Sequence, residues 1–165
     1  MNSCVFPGSF DPVTAGHLDL IRRAARLFAQ VTVTVMINVN KKGTLPVGER
    51  IRILRKACAD LENVRIDRWD GLLSEYMRIK GERIVLRGAR CFAEFEQEFN
   101  SAQINRNLNA DMETLLIPSD PALSFVSSSA VRELASFGGD IGPWVPESVR
   151  KDIQEALSKN IPVKE

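Results

Sequence analysis

The sequence predicts an α/β fold: a doubly wound, five-stranded parallel sheet with helices on both faces. Three observations carry this. Short β-branched or apolar runs alternate with stretches whose apolar residues recur at helical spacing. Strand and helix follow one another repeatedly along the chain, which argues for a parallel sheet. Glycine, proline or serine punctuates the strand-to-helix junctions, where such sheets bind ligands. Right-handed crossovers restrict the topologies, and we take the strand order 3-2-1-4-5 as the expectation. That order sets strands 1 and 4 side by side at the switch point.

Each element follows in turn. Ser3-Cys4-Val5-Phe6 reads as a buried strand, and Leu18, Ile21, Ala25 and Phe28 form the stripe of the first helix. Val31 to Ile37 is a β-branched second strand. Ile51, Leu54, Cys58 and Leu61 mark a second helix, with Pro46 near its start and Glu49 in its first turn. Val64-Arg65-Ile66 is a short third strand. Asp70 is expected to cap a helix carrying Leu72, Leu73, Tyr76 and Met77, which ends at Gly81. Arg83 to Arg87 is a fourth strand. The next helix sets Phe92, Phe95, Phe99 and Ala102 on one face, read as core or as a subunit contact. Thr114 to Ile117 is a fifth strand stopped by Pro118. A helix opens at Ser127, and Pro146 is placed at N1 of a last helix carrying Val149, Ile153 and Leu157.

Composition narrows the function. With 165 residues the chain is expected to form one domain, residues 1–165. A net charge of +1 supplies no global field for nucleic acid or an acidic membrane, so neither is expected as a partner. Cys4, Cys58 and Cys91 are scattered, without a C-x-x-C pair, which fits a reducing cytoplasm. Met1-Asn2-Ser3 is not the basic start of a signal peptide, and no apolar run approaches a membrane span.

The chemistry gathers at strand ends. Pro7 to His17 is a strand-to-helix turn with two glycines, and His17 is the only histidine in the chain. A helix N-terminus offers unpaired N–H groups and the positive end of a dipole to phosphate. Gly8 and Gly16 are expected to let a ligand approach the backbone, and Ser9 adds a hydroxyl. Thr14 is expected as the N-cap, placing His17 in the first turn, where a neutral imidazole can still donate one N–H. After strand 4, Arg87-Gly88-Ala89-Arg90 sets two permanently charged forks around a glycine. After strand 2 come Lys41 and Lys42, and after strand 5 the run Ser127-Ser128-Ser129 opens a helix. A phosphate-binding crevice follows, with the loops after strands 1 and 4 facing each other. Taken singly, each feature also has a plain reading as a turn, a cap or a solvated charge. Gly43 to Gly48 has Walker A glycine spacing but lacks its Lys-Ser/Thr, and a structural zinc site is not expected.

These residues also carry a resemblance. Pro7 to His17 resembles the signature of the nucleotidyltransferase superfamily with a T/H-x-G-H motif. Arg87 to Arg90, Phe95-Glu96-Gln97-Glu98, Asn105-Arg106 and Ser124 to Ser129 together resemble the bacterial phosphopantetheine adenylyltransferase family, over nearly the whole chain. Gln97 stands where that family commonly has an aromatic residue, Leu123 where it has Trp, and Glu94 where it has Asp. Ala89 and Cys91 replace apolar residues there, larger in the case of Ala89.

The resemblance implies a Rossmann-like fold and the reaction of ATP with 4'-phosphopantetheine, with magnesium, to give dephospho-coenzyme A and pyrophosphate. It implies direct in-line attack without a covalent intermediate, a homohexamer, a step in coenzyme A synthesis, and binding of dephospho-coenzyme A or coenzyme A. Carried onto this chain, it assigns His17, Lys41, Arg90 and Ser9 to catalysis. ATP would be held by Ser9, Phe10, His17, Gly88, Ala89, Arg90 and Glu98, and by Leu123, Ser124, Phe125, Val126, Ser127, Ser128 and Ser129. Ser9, Lys41, Leu73 and Arg87 would hold 4'-phosphopantetheine, and no residue is assigned to a metal. Other readings share the turn: a sister nucleotidyltransferase with another phosphate acceptor, a non-catalytic nucleotide or coenzyme A binder, and a partial aminoacyl-tRNA synthetase domain. The segment from Arg87 to Glu98 speaks against the first. The presence of His17, Lys41 and Arg90 speaks against the second, and the want of a basic surface against the third.

Overall fold

A computed structural model describes residues 2–38 and 42–160. Five strands, β1 (Ser3–Gly8), β2 (Gln30–Met36), β3 (Val64–Trp69), β4 (Ile84–Ala89) and β5 (Glu113–Pro118), form one sheet in the order β3-β2-β1-β4-β5. Every pairing is parallel. Between and after them run α1 (Ala15–Leu27), α2 (Val47–Ala57), α3 (Leu73–Lys80), α4 (Phe92–Leu108), α5 (Ser128–Ser136) and α6 (Arg150–Asn160). The expected topology and switch point between β1 and β4 are therefore present, with Val5 beside Val85.

The two faces of the sheet differ, and the difference makes room for a site. On one face Cys4, Phe6, Val31, Val33 and Val35 pack into a large core with α1, α2, α5 and α6. Strand alternation sends Val5 and Val85 to the other face, where a small cluster forms with Tyr76, Met77 and Met112. Thr32 and Thr34 alternate with the apolar residues of β2. That second face is more polar and only partly filled, so a cavity remains against it.

Several expected boundaries move. β1 runs on through Pro7 and Gly8, β3 through Trp69, and β4 through Gly88 and Ala89. Gly88 and Ala89 therefore belong to a strand rather than a loop. They pair with Ile117 and Pro118 of β5. Asp70 does not cap α3; Leu72 holds the N-cap position without a side-chain bond. Gly81 ends that helix in the left-handed region at φ 67°, as expected. α2 stops at Ala57, so Leu61 lies beyond it. Pro146 precedes a 3-10 turn, Glu147–Val149, and α6 begins only at Arg150. Val149, Ile153 and Leu157 are nonetheless all buried. α4 buries none of its residues, so its phenylalanines are not core; Phe92 is 81% exposed.

Candidate active site

The turn after β1 is built around an aromatic ring. Phe10 has φ 46°, unusual for a residue with a Cβ, and its side chain is buried. Its ring packs edge-on against Phe6 at 5.7 Å and against His17 at 5.1 Å. A Cβ on Gly8 would lie 2.9 Å from Cζ of Phe10. Gly8 is thus required by Phe10, a packing reason rather than the ligand approach expected from the sequence.

Thr14 is the N-cap of α1. Its hydroxyl accepts the backbone N–H of His17 at 3.3 Å, and its own N–H donates to Nδ1 of His17 at 3.0 Å. Nδ1 is therefore an acceptor, and the proton of the neutral ring resides on Nε2. Burial, then the positive charges of Arg87 and Arg90, push the His17 pKa down to about 4. His17 is a neutral N–H donor at physiological pH.

Both arginines are oriented by carboxylates from α4. The Arg87 fork meets Glu98, with Nε to Oε2 at 2.7 Å, and its Nη1 donates to the Pro7 carbonyl at 2.6 Å, joining β4 to β1. Gly88 lets β4 lie against α1: a Cβ there would be 2.3 Å from Cδ1 of Leu20. Arg90 forks onto Glu94 and donates to the Val126 carbonyl at 2.8 Å. The hydrogen bonds from Arg90 hold the Glu94 carboxyl below its ordinary range.

Two adjoining cavities result. The first, about 290 Å³, lies between the N-termini of α1 and α5. Ser9, Phe10, His17, Gly88, Arg90 and Glu98 line it, joined by Leu123, Val126, Ser127 and Ser128 from the segment after β5. The second, about 710 Å³, lies on the more polar face of the sheet and is walled by Leu73, Val85, Ala102 and Asn105. Pro7, Gly8, Ser9, Arg87 and Glu98 are common to both.

Most of the expected site residues thus come together, and some do not. Ala89 is occupied in the β4–β5 ladder. Ser124 bonds the Pro121 carbonyl, Ser129 accepts from Arg132, and exposed Phe125 packs edge-on against Trp144. None of these four lines either cavity. Lys41 lies outside the described residues.

The chain is similar to known proteins along most of its length. Residues 5–134 match the Cytidylyltransferase-like family. A phosphopantetheine adenylyltransferase of Rubrobacter xylanophilus is 46% identical over 160 residues, 97% of this chain and 98% of the relative. One from Clostridium perfringens is 42% identical over 154 residues, 93% of this chain and 94% of the relative. This chain belongs to the phosphopantetheine adenylyltransferase family. The fold is shared more widely: a structure from Vibrio parahaemolyticus, provisionally described as a nicotinate-nucleotide adenylyltransferase, superposes with TM-score 0.66 at 17% identity, covering 99% of this chain and 100% of that one.

Within this family member, three of the sequence departures face the first cavity. Gln97, Leu123 and Glu94 line it, whereas Ala89 and Cys91 do not. Residues missed by sequence reasoning also emerge. Asp11 and Arg50 are buried together behind the turn, and Arg132 bonds the Asp11 carbonyl. The Asp beside Pro12 in a tight turn was a readable signal. Nothing in the sequence pairs it with an arginine so far along the chain.

Proposed function

We propose that this protein transfers the adenylyl group of ATP to 4'-phosphopantetheine, giving dephospho-coenzyme A and pyrophosphate, as the names of its relatives suggest. The observation that supports this best is the shared wall. Ser9, Arg87 and Glu98 border both cavities, so two anionic substrates can meet there. ATP fits the first cavity, at the N-termini of α1 and α5. The acceptor phosphate fits the mouth of the second, with its pantetheine arm along Leu73 and the sheet.

The chemistry needs no strong base. A phosphate monoester has its second pKa near about 6, so the acceptor arrives ionised at neutral pH. One of its oxygens attacks the α-phosphorus of ATP in line. A new P–O bond forms as the bond to the bridging oxygen breaks, and pyrophosphate leaves with the electron pair. No covalent enzyme intermediate is needed. Catalysis then rests on positioning and charge stabilisation. His17 donates Nε2–H to an α-phosphoryl oxygen, and Arg90 steadies the departing pyrophosphate. Arg87 orients the acceptor, and Ser9 contacts both substrates. Lys41 keeps the catalytic and acceptor-binding roles that the resemblance implies.

Magnesium would be supplied with the triphosphate. Among the described residues no group of three His, Cys, Asp or Glu could hold a metal ion. The carboxylates lining the first cavity, Glu94 and Glu98, are each engaged by an arginine. This donor set fits magnesium carried by the triphosphate oxygens, where it would neutralise charge on the leaving group.

We further propose that residues 1–165 act as one nucleotidyltransferase domain in a cytoplasmic homohexamer serving coenzyme A synthesis. The unburied face of α4 supports association of copies: Phe92, Phe95 and Phe99 are all exposed. No helix among the described residues is long and apolar enough to cross a membrane. Pyrophosphate release, measured with ATP and magnesium and with 4'-phosphopantetheine, nicotinamide mononucleotide and glycerol 3-phosphate offered separately, tests the reaction. CTP in place of ATP tests the nucleotide. Release only with ATP and 4'-phosphopantetheine is expected; release with another acceptor reassigns the second cavity.

A further inference from the structure

We propose that Asp11 and Arg50, which line neither cavity, are positioning residues that hold Ser9 at the meeting point of the two substrates; the proposal rests on the adenylyl-transfer reading of that site. The turn needs such support. Phe10, next to Ser9, is held at a positive φ that persists only where surrounding structure fixes it. Ser9 itself is exposed, at the mouth of both cavities. The constraint therefore comes from behind.

The bonds run from the turn to the chain that leads into α2. The two oxygens of Asp11 each accept a backbone N–H, from Thr44 and Leu45, at 2.8 Å. The guanidinium of Arg50 closes the frame. Nε donates to the Leu45 carbonyl at 2.7 Å, Nη1 reaches the Ser9 carbonyl at 3.4 Å, and Nη2 lies 3.5 Å from Asp11. All three arms of one planar group are thus used on this turn and its neighbour. Gly43 admits it: a Cβ there would fall 1.4 Å from Nη2. From the opposite side, Ser128 donates to the Pro12 carbonyl at 2.8 Å and Arg132 to that of Asp11. The second clamp starts at the N-terminus of α5, where Ser128 also lines the first cavity.

A buried ion pair by itself is a common structural feature, so the test must separate stability from placement. Arg50→Lys keeps the charge facing Asp11 but supplies one point where three directed donors stood. Gly43→Ala leaves both charges and pushes the guanidinium aside. For folded protein of each variant, we expect kcat/KM to fall on the order of 10²-fold, the loss expected from a displacement of about 1 Å. Because Ser9 borders both cavities, kcat should drop and KM for ATP and for 4'-phosphopantetheine should rise together. A merely structural role would lower the melting temperature and leave kcat and both KM values of the folded fraction alone. Folded variants with kinetics within about twofold of the parent overturn the proposal. Calorimetric titration of ATP into parent and variants is run alongside. If the parent releases no pyrophosphate, the adenylyl-transfer reading fails. In that case a variant that binds ATP as tightly as the parent overturns the positioning role, and a weakened one supports it.

Discussion

The imidazole Nδ1 of His17 accepts the backbone N–H of Thr14 at 3.0 Å, while the Thr14 hydroxyl accepts the backbone N–H of His17 at 3.3 Å. This reciprocal capping box fixes the start of α1 and the tautomer of the ring at once. As the chain has one histidine, its imidazole signals in an NMR titration belong to a single residue. They should stay unchanged from pH 8 to about 5 and move with a midpoint near 4, against an ordinary 6.5. Arg87→Gln should raise the midpoint, because it removes one of the charges that lowers it. The sign for stability follows. Between about 4 and 6.5 the unfolded chain binds more protons at this residue, so stability falls as pH drops through that window. A His17 midpoint near 6.5 in the folded protein would contradict this.

His17→Ala should lower kcat on the order of 10²–10³-fold, by analogy with removal of one donor to a developing oxyanion. The loss should appear in kcat more than in KM if Nε2–H acts on the transition state. Stopped or steady-state pyrophosphate assays read it directly. Full turnover in the variant would remove His17 from the mechanism.

Arg87→Lys tests whether the fork matters or only the charge. Lysine cannot make two parallel bonds to Glu98 while also reaching the Pro7 carbonyl. KM for 4'-phosphopantetheine should rise about tenfold, equivalent to roughly 1.4 kcal/mol. An unchanged KM would mean that the acceptor phosphate sits elsewhere.

Gly88→Ala should destabilise the protein by about 1–3 kcal/mol through overpacking against Leu20. Leu20→Ala alone, at a buried position, should cost about 2–5 kcal/mol. Together they should cost less than the sum, by at least about 0.5 kcal/mol, since the smaller residue 20 accepts the new methyl. Urea unfolding of the four proteins gives the coupling, and strict additivity would show that β4 and α1 relax apart instead.

Assembly is tested on α4. Phe95→Asp with Phe99→Asp replaces two half-exposed rings that lie outside the core of the chain, so the fold should survive. Sedimentation should then show a shift from the proposed hexamer to smaller species. A double variant that sediments as the parent does would move the subunit contact off this helix.

Periodicity made the sheet legible. The β-branched run from Val31 and the apolar stretch at Ser3 to Phe6 set the strands, and the helices between them dictated parallel pairing. Thr14 was readable as a cap because capping is local chemistry, and the structure bears it out. Asp70 misled by the same rule: Leu72 stands at the cap instead. The phenylalanines of α4 had helical spacing, but spacing cannot tell a core from a surface awaiting a partner. Gly8 was visible as a glycine, while its reason, the ring of Phe10 folded back over it, depends on tertiary packing. The frame from Asp11 through Leu45 to Arg50 was not readable, because its bonds join segments far apart in the chain.

Cys4 and Cys58 are buried, and burial pushes their thiols up to about 12 and about 11, whereas Cys91 is exposed at the N-cap of α4. Thiolate, not thiol, reacts with electrophiles. One of the three cysteines therefore offers a natural handle for a maleimide dye, one residue along from Arg90, on the native sequence without engineering. Nucleotide entering the first cavity can be followed by the colour or polarisation of a probe that the chain already has a place for.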